Sequence, residues 1–322
     1  MSYRNPLLMI VGPLVGVVAG CSDYAVQDVR EQEVFTQPGE IRAADILFVV
    51  DNSASMDEEE ALLAENFSAF VDVLTQTYAD YQIGIVTTDV ETVDAGVLRE
   101  GILTATTDDI AGAFERAVGV GTYGSRDEQG LAAATLAADP TRNPGFVRPD
   151  SRFNVVFVSD EDDHSPGEVA TYIDGLKNLS GDGGFAAHAL VGDVPAGCVS
   201  GTSAADPGAR YLEVVKTSDG WSDSICADDY SPLLTQVGLD AAGWANTFPL
   251  EELPQPESIT VMVDAVTIPQ RDIDGWRYSS GDNAIIFNGR AVPRPGMDIL
   301  IDYTPWVGPA SAGDTGEAVA TE

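Results

Sequence analysis

Two apolar runs, each closing on an aspartate, constrain this chain more than any other feature: DILFVVD over 45–51 and FNVVFVSD over 153–160. Strand formers without polar alternation mark strands buried on both faces, as in the interior of a parallel sheet. The first run leads into DNSASMDEEEALLAENFSAFVDVLTQTY. There Leu62, Leu63, Phe67, Phe70, Val71 and Leu74 recur at three- and four-residue spacing, and acids fill the first turn. QIGIVTT (82–88) repeats the strand pattern, GVLRE (96–100) reads as an edge strand and DDIAGAFERAV (108–118) as a short helix. Glycine-rich GVGTYGSRDEQG (119–130) opens onto the alanine-rich helix LAAATLAA. Beyond the second run come a helix at 167–179, a strand at 185–192 and a helix at 231–245. Such alternation predicts an α/β fold, a doubly wound and mostly parallel sheet, over 45–250.

The flanks have a different grammar. Residues 6–20, PLLMIVGPLVGVVAG, are apolar but too short and too broken by Gly and Pro for a comfortable membrane span, and read as a signal peptide over 1–20. Its end, Val18-Ala19-Gly20-Cys21, resembles the lipobox of bacterial lipoproteins. That resemblance implies cleavage before Cys21, acylation of its thiol and amine, and a membrane-held domain in a bacterial cell envelope. Ser22, rather than Asp, after the cysteine implies the outer membrane by analogy with enteric sorting rules. Residues 21–44 read as a tether with room for one short strand around Glu33 to Thr36. From 257 to 306 short β-rich runs alternate with turn residues, Ser280-Gly281-Asp282-Asn283 among them, predicting a small antiparallel module. Trp276, Tyr278, Phe287, Tyr303 and Trp306 are its expected core, and 307–322 reads as a disordered tail.

Charge and cysteine content narrow the function. With 52 Asp+Glu against 16 Lys+Arg, a formal charge of -36 excludes a nucleic-acid backbone or an anionic lipid surface as a docking partner, since both would be repelled. Cations are the natural counterpart. Two histidines and three cysteines exclude a histidine-rich or four-thiolate zinc centre. With Cys21 used for lipid, Cys198 and Cys226 form an even pair in an exported chain, read as a disulfide.

The strongest functional signal is DNSASM, where Asp51, Ser53 and Ser55 place one carboxylate and two hydroxyls at alternate positions just beyond a strand. In a doubly wound sheet that position opens on the ligand crevice, and Asp160, ending another strand, approaches the same crevice. Oxygen donors from two segments suit a hard divalent cation, Mg2+ with Mn2+ or Ca2+ as alternatives. The bland reading is a helix cap made of Asp, Asn and Ser. DILFVVDNSASM matches the Asp-x-Ser-x-Ser motif of von Willebrand factor A domains, with IGIVTTD and NVVFVSD in the expected order. The resemblance runs from Asp45 to Trp244 and extends to bacterial surface lipoproteins bearing this domain. It implies a metal-ion-dependent adhesion site of Asp51, Ser53, Ser55, a second-loop hydroxyl and Asp160, the last bound directly or through water. The second-loop donor is either Thr122, by residue type, or Ser125, by spacing to the helical glycine. Glu128 is either a supporting residue or a helix cap; Glu161, Asp162 and Asp163 are rim residues or an auxiliary calcium site; Thr88 and Asp89 line the crevice.

The resemblance implies a noncatalytic, membrane-anchored protein that binds an unidentified macromolecule whose acidic group completes the cation's coordination. The alternatives are an envelope lipoprotein with a stabilising metal site, and a metal-dependent hydrolase with His164 as base. For the last, no Gly-x-Ser-x-Gly, HExxH or Walker A sequence is present.

Overall fold

The computed structural model describes residues 30–37, 43–77, 79–121, 123–125, 127–201, 203–218, 220–271 and 274–306. The signal segment, Cys21, Thr122 and the tail 307–322 lie outside the described residues, as does most of the tether.

In chain order the elements are β1 (Glu31–Thr36), β2 (Ala43–Val50), α1 (Asp57–Gln76), β3 (Asp80–Thr87), β4 (Leu103–Thr104), α2 (Ile110–Val118) and α3 (Gly130–Ala138). Next are β5 (Arg152–Ser159), α4 (Val169–Ser180), β6 (Phe185–Val191), β7 (Cys198–Ser200), β8 (Ser203–Ala205), α5 (Ala209–Thr217), β9 (Ser222–Ser224) and α6 (Ser231–Ala241). The chain ends in β10 (Thr247–Pro249), β11 (Thr260–Val263), β12 (Val266–Ile268), β13 (Trp276–Ser279), β14 (Ala284–Phe287) and β15 (Asp298–Tyr303).

The fold is mixed α/β. A six-stranded sheet has the order β4-β3-β2-β5-β6-β9, parallel throughout except for β4. Its two central strands are the two apolar runs, and Ile46 to Val50 and Phe153 to Val158 are all buried, the polar Asn154 among them. Residues alternate between faces along a strand, so one apolar run serves two cores. Phe48 and Val50 pack with α1, α2 and α6, including Phe67, Phe114 and Val237, whereas Leu47 and Val49 pack with α3, α4 and α5, including Leu131, Ile173 and Val214. The chain leaves β2 for β3 on one side and returns to β5 on the other, so the carboxyl ends of β2 and β5 diverge into a crevice.

The edge strand lies at Leu103–Thr104, not at 96–100. Gly96, Glu100 and Gly101 all have positive φ, which breaks an extended run, and the Arg99 side chain instead donates to the Ala117 and Gly119 carbonyls beside α2. The cysteine pair is joined, Cys198 to Cys226. Toward the carboxyl terminus a pair of antiparallel sheets, β1-β15-β11-β12 and β10-β14-β13, encloses a third core that includes Trp276, Phe287, Ile301 and Tyr303. Strand β1, read within the tether, pairs with β15 along its whole length. Trp306 is not in that core: it is 61% exposed, held by its main-chain N–H on the Leu253 carbonyl.

Candidate cation site

The site begins where β2 stops. The Asp51 N–H donates to the Val158 carbonyl at 2.9 Å, carrying the pairing with β5 one residue past the strand and fixing the Asp51 side chain at the mouth of the crevice. Asp51 is fully buried. Its Oδ1 accepts the Ser53 N–H at 2.7 Å, turning the chain sharply, and its Oδ2 accepts the Ser159 hydroxyl at 2.7 Å. The Ser53 and Ser55 hydroxyls lie 3.1 Å apart, Ser53 buried and Ser55 exposed. Helix α1 begins after Met56, whose own side chain makes no capping hydrogen bond.

The second loop closes over the first. The Gly124 N–H donates to the Asn52 carbonyl at 2.9 Å, and a Cβ on Gly124 would lie 2.3 Å from the Asn52 side chain, so glycine is what permits this approach. Ser125 is half-buried and its hydroxyl oxygen accepts the Asp127 N–H at 3.0 Å. The loop then dives inward: Gln129 N–H donates to the Thr88 carbonyl at the end of β3, and the Glu128 carbonyl accepts the His164 N–H at 2.6 Å. Glu128 is wholly buried between these anchors. Its Oε2 accepts the Thr88 hydroxyl, the Asp51 carboxyl lies within hydrogen-bonding reach, and Oε1 has no hydrogen-bond partner. Asp89 beside it is buried too, its Oδ1 accepting the Glu91 N–H at 2.9 Å.

The third loop supplies Asp160, 5% exposed, with Oδ1 unpartnered and the Ser55 hydroxyl acting on its carboxyl as a hydrogen-bond donor. Its acidic neighbours are committed elsewhere. Asp163 accepts the Leu131 N–H at 3.0 Å, capping α3 from outside, and pairs with the Arg210 Nε at 3.0 Å. Asp162 Oδ1 accepts the Arg210 N–H at 2.9 Å. These two are scaffold rather than an auxiliary ion site. The His164 imidazole is half-exposed, 3.6 Å from the Asp127 carboxylate.

Burial and crowding set the electrostatics. Burial, reinforced by the Asp51 charge, pushes Glu128 up to about 8. Burial likewise pushes Asp160 up to about 6, the Ser55 hydrogen bond opposing and the Asp51, Glu161 and Glu59 charges adding. Glu60, near the start of α1, rises to about 7 for the same first reason.

Three sequestered acids elsewhere in the chain are paired with an arginine. Buried Asp45 holds Arg148 at 2.7 Å, buried Asp163 holds Arg210, and half-buried Asp240 holds Arg152 through two bonds of 2.9 Å. Among the described residues no basic side chain bonds to Asp51, Glu128 or Asp160. Buried carboxylates are costly unless a cation or a proton offsets them, so this cluster fits a bound cation. Among the described residues no group of three or more His, Cys, Asp or Glu side chains is arranged to hold a metal ion, and the donors here are mixed carboxylates and hydroxyls. Of the residues expected at the site, Asp51, Ser53, Ser55 and Asp160 come together. Ser125 bonds to the Asp127 main chain rather than to any of them, and Thr122 lies outside the described residues. Sequence reasoning gave too little weight to Glu128 and missed Ser159.

No protein-family model matches the chain, and no curated protein matches it. Solved structures with partial likeness include pilus adhesin SpaC from Lactobacillus rhamnosus GG, at 11% identity over 85% of this chain and 41% of that chain, TM-score 0.42. The open conformation of SpaC gives 13% identity over 88% and 42%, TM-score 0.41. Proximal thread matrix protein 1 from the mussel byssus gives 14% identity over 63% and 48%, TM-score 0.40. The chain thus spans less than half the length of these proteins, and at such scores the likeness carries neither fold nor function to it.

Proposed function

We propose that this chain is a von Willebrand factor A-like binding domain that uses a divalent cation to engage another macromolecule, held at a bacterial cell envelope through lipid on Cys21. One observation carries the reading: Asp51 and Asp160, both buried, converge with the Ser53 and Ser55 hydroxyls at the crevice between β2 and β5, and among the described residues neither receives an arginine as Asp45 and Asp163 do. Mg2+ suits the hydroxyl-rich oxygen set, with Mn2+ or Ca2+ as alternatives. Ser55 stands exposed, leaving an ion reachable from solvent. Tyr123, 99% exposed on the loop that covers Asn52, offers an aromatic contact beside it. On a surface this acidic, an acidic group on a partner is attracted only where the ion sits.

The role is noncatalytic. The one histidine near the site projects toward Asp127. No described helix is long and apolar enough to cross a membrane, and the anchor is assigned to Cys21, whose replacement by Ala should abolish acyl labelling and detergent partition. Immobilised domain should retain envelope fragments in Mg2+ and release them in EDTA, and the Asp51→Ala domain should retain none. Equal retention in Mg2+ and EDTA would contradict the reading. A cation-induced rise in melting temperature with no change in retention would favour a stabilising site instead, which the interlocked backbone bonds between Gly124 and Asn52 and between Gln129 and Thr88 would suit.

A further inference from the structure

We infer that Glu128, rather than Ser125, supplies a second-loop side chain of the cation site, placing a carboxylate pair, Asp51 and Glu128, among its protein ligands beside the Ser53 and Ser55 hydroxyls. The inference rests on the cation-site reading above and assigns it a residue that neither the motif nor its spacing selects.

Glu128 is pinned on both sides of its backbone: its own carbonyl takes the His164 N–H of the third loop, and the next residue's N–H is tied to the Thr88 carbonyl at the end of β3. The side chain between those anchors is wholly buried and lies within reach of Asp51. Thr88 occupies Oε2. Among the described residues the remaining oxygen, Oε1, is buried without a hydrogen-bond donor, and Asp160 Oδ1 is in the same condition across the site. Two buried carboxyl oxygens from different loops, without a donor among the described residues and close to the Asp51 carboxyl, suit a bound cation.

Ser125 has a different position. It is half-buried, and its oxygen is engaged by the Asp127 N–H three residues before the chain turns inward. Asp160 then acts across the Ser55 hydroxyl, bound through water, which leaves two direct carboxylates and agrees with the lack of any three-acid metal group among the described residues. The consequence is that the ion binds without help from a partner.

Glu128→Gln keeps the shape and the oxygen that Thr88 uses while removing the charge. Calorimetric titration of Mn2+, Mg2+ and Ca2+ into the full mature protein, with Glu128→Gln, Ser125→Ala and Thr122→Ala beside it, reads the assignment directly. The Gln variant should bind roughly tenfold or more weakly, whereas the Ser125→Ala variant stays within about twofold. Melting in EDTA gives a second reading of opposite sign: the Gln variant should melt no lower than wild type, since a neutral side chain replaces a buried acid beside Asp51, yet show a smaller cation-induced rise at equal ion concentration. Unchanged affinity in Glu128→Gln with a loss in Ser125→Ala or Thr122→Ala would overturn the inference and leave the cation site standing. A wild-type protein that binds none of the three ions would overturn both.

Discussion

The Ser159 hydroxyl donates to Asp51 Oδ2 at 2.7 Å across the boundary between the two central strands. The Ser159 oxygen also accepts the Glu161 N–H at 3.1 Å, so the same side chain shapes the third loop and orients the first. Ser159→Ala should therefore reduce divalent affinity about tenfold while lowering stability by only about 1 kcal/mol. Calorimetry and urea unfolding on the same preparation separate the two effects. An affinity equal to wild type would show that Asp51 needs no orienting partner.

Asp163 tests the division between scaffold and site. It caps α3 through Leu131, accepts from the Ser165 hydroxyl at 2.7 Å and pairs with Arg210. Asp163→Ala should cost about 2–3 kcal/mol in urea unfolding, since it uncaps a helix and strands an arginine. Divalent affinity should hold within about twofold. A large loss of affinity at unchanged stability would place Asp163 among the ion's ligands.

Glu60 predicts a pH dependence whose sign follows from its burial. Its folded-state value lies near 7 against an ordinary 4.5, so the folded protein keeps the proton that the unfolded chain has released between those limits. The associated stability is complete below about 4.5 and is lost as pH rises through 7. Glu60→Gln does not titrate. In EDTA the variant should match wild type at pH 4.5 and exceed it by roughly 1–3 kcal/mol at pH 8. A constant difference across that range would show that Glu60 titrates normally.

The central strands were legible because burial on both faces leaves an unmistakable run of apolar residues, and an aspartate directly after such a run can only emerge at the strand's end. Asp51 and Asp160 follow from that alone. Glu128 was not legible, because RDEQG reads locally as a polar loop before a helix, and its burial arises from the second loop closing on Asn52 and Thr88. One signal pointed that way: α3 is alanine-rich, with Leu131, Ala133, Ala134, Ala137 and Ala138 all buried, so the residues entering it are carried inward. Residues 96–100 have strand composition but left-handed turns at Gly96, Glu100 and Gly101, a backbone property that side-chain type does not encode for glutamate. Trp306 reads as core by residue type and stands exposed because the sheet ends at Tyr303.

The cation site is tested most directly by a calorimetric titration of Mg2+ and Mn2+ into metal-stripped mature protein and its Asp51→Asn variant, with circular dichroism confirming that both are folded. The Asn side chain still accepts the Ser53 N–H, and the carboxylate at the head of the crevice is gone. One saturable divalent site is expected in the wild type and at least about a hundredfold weaker binding in the variant, since a direct anionic ligand should cost no less than an outer one. Equal affinity in the two proteins, or no binding in either, would contradict a cation site built on Asp51.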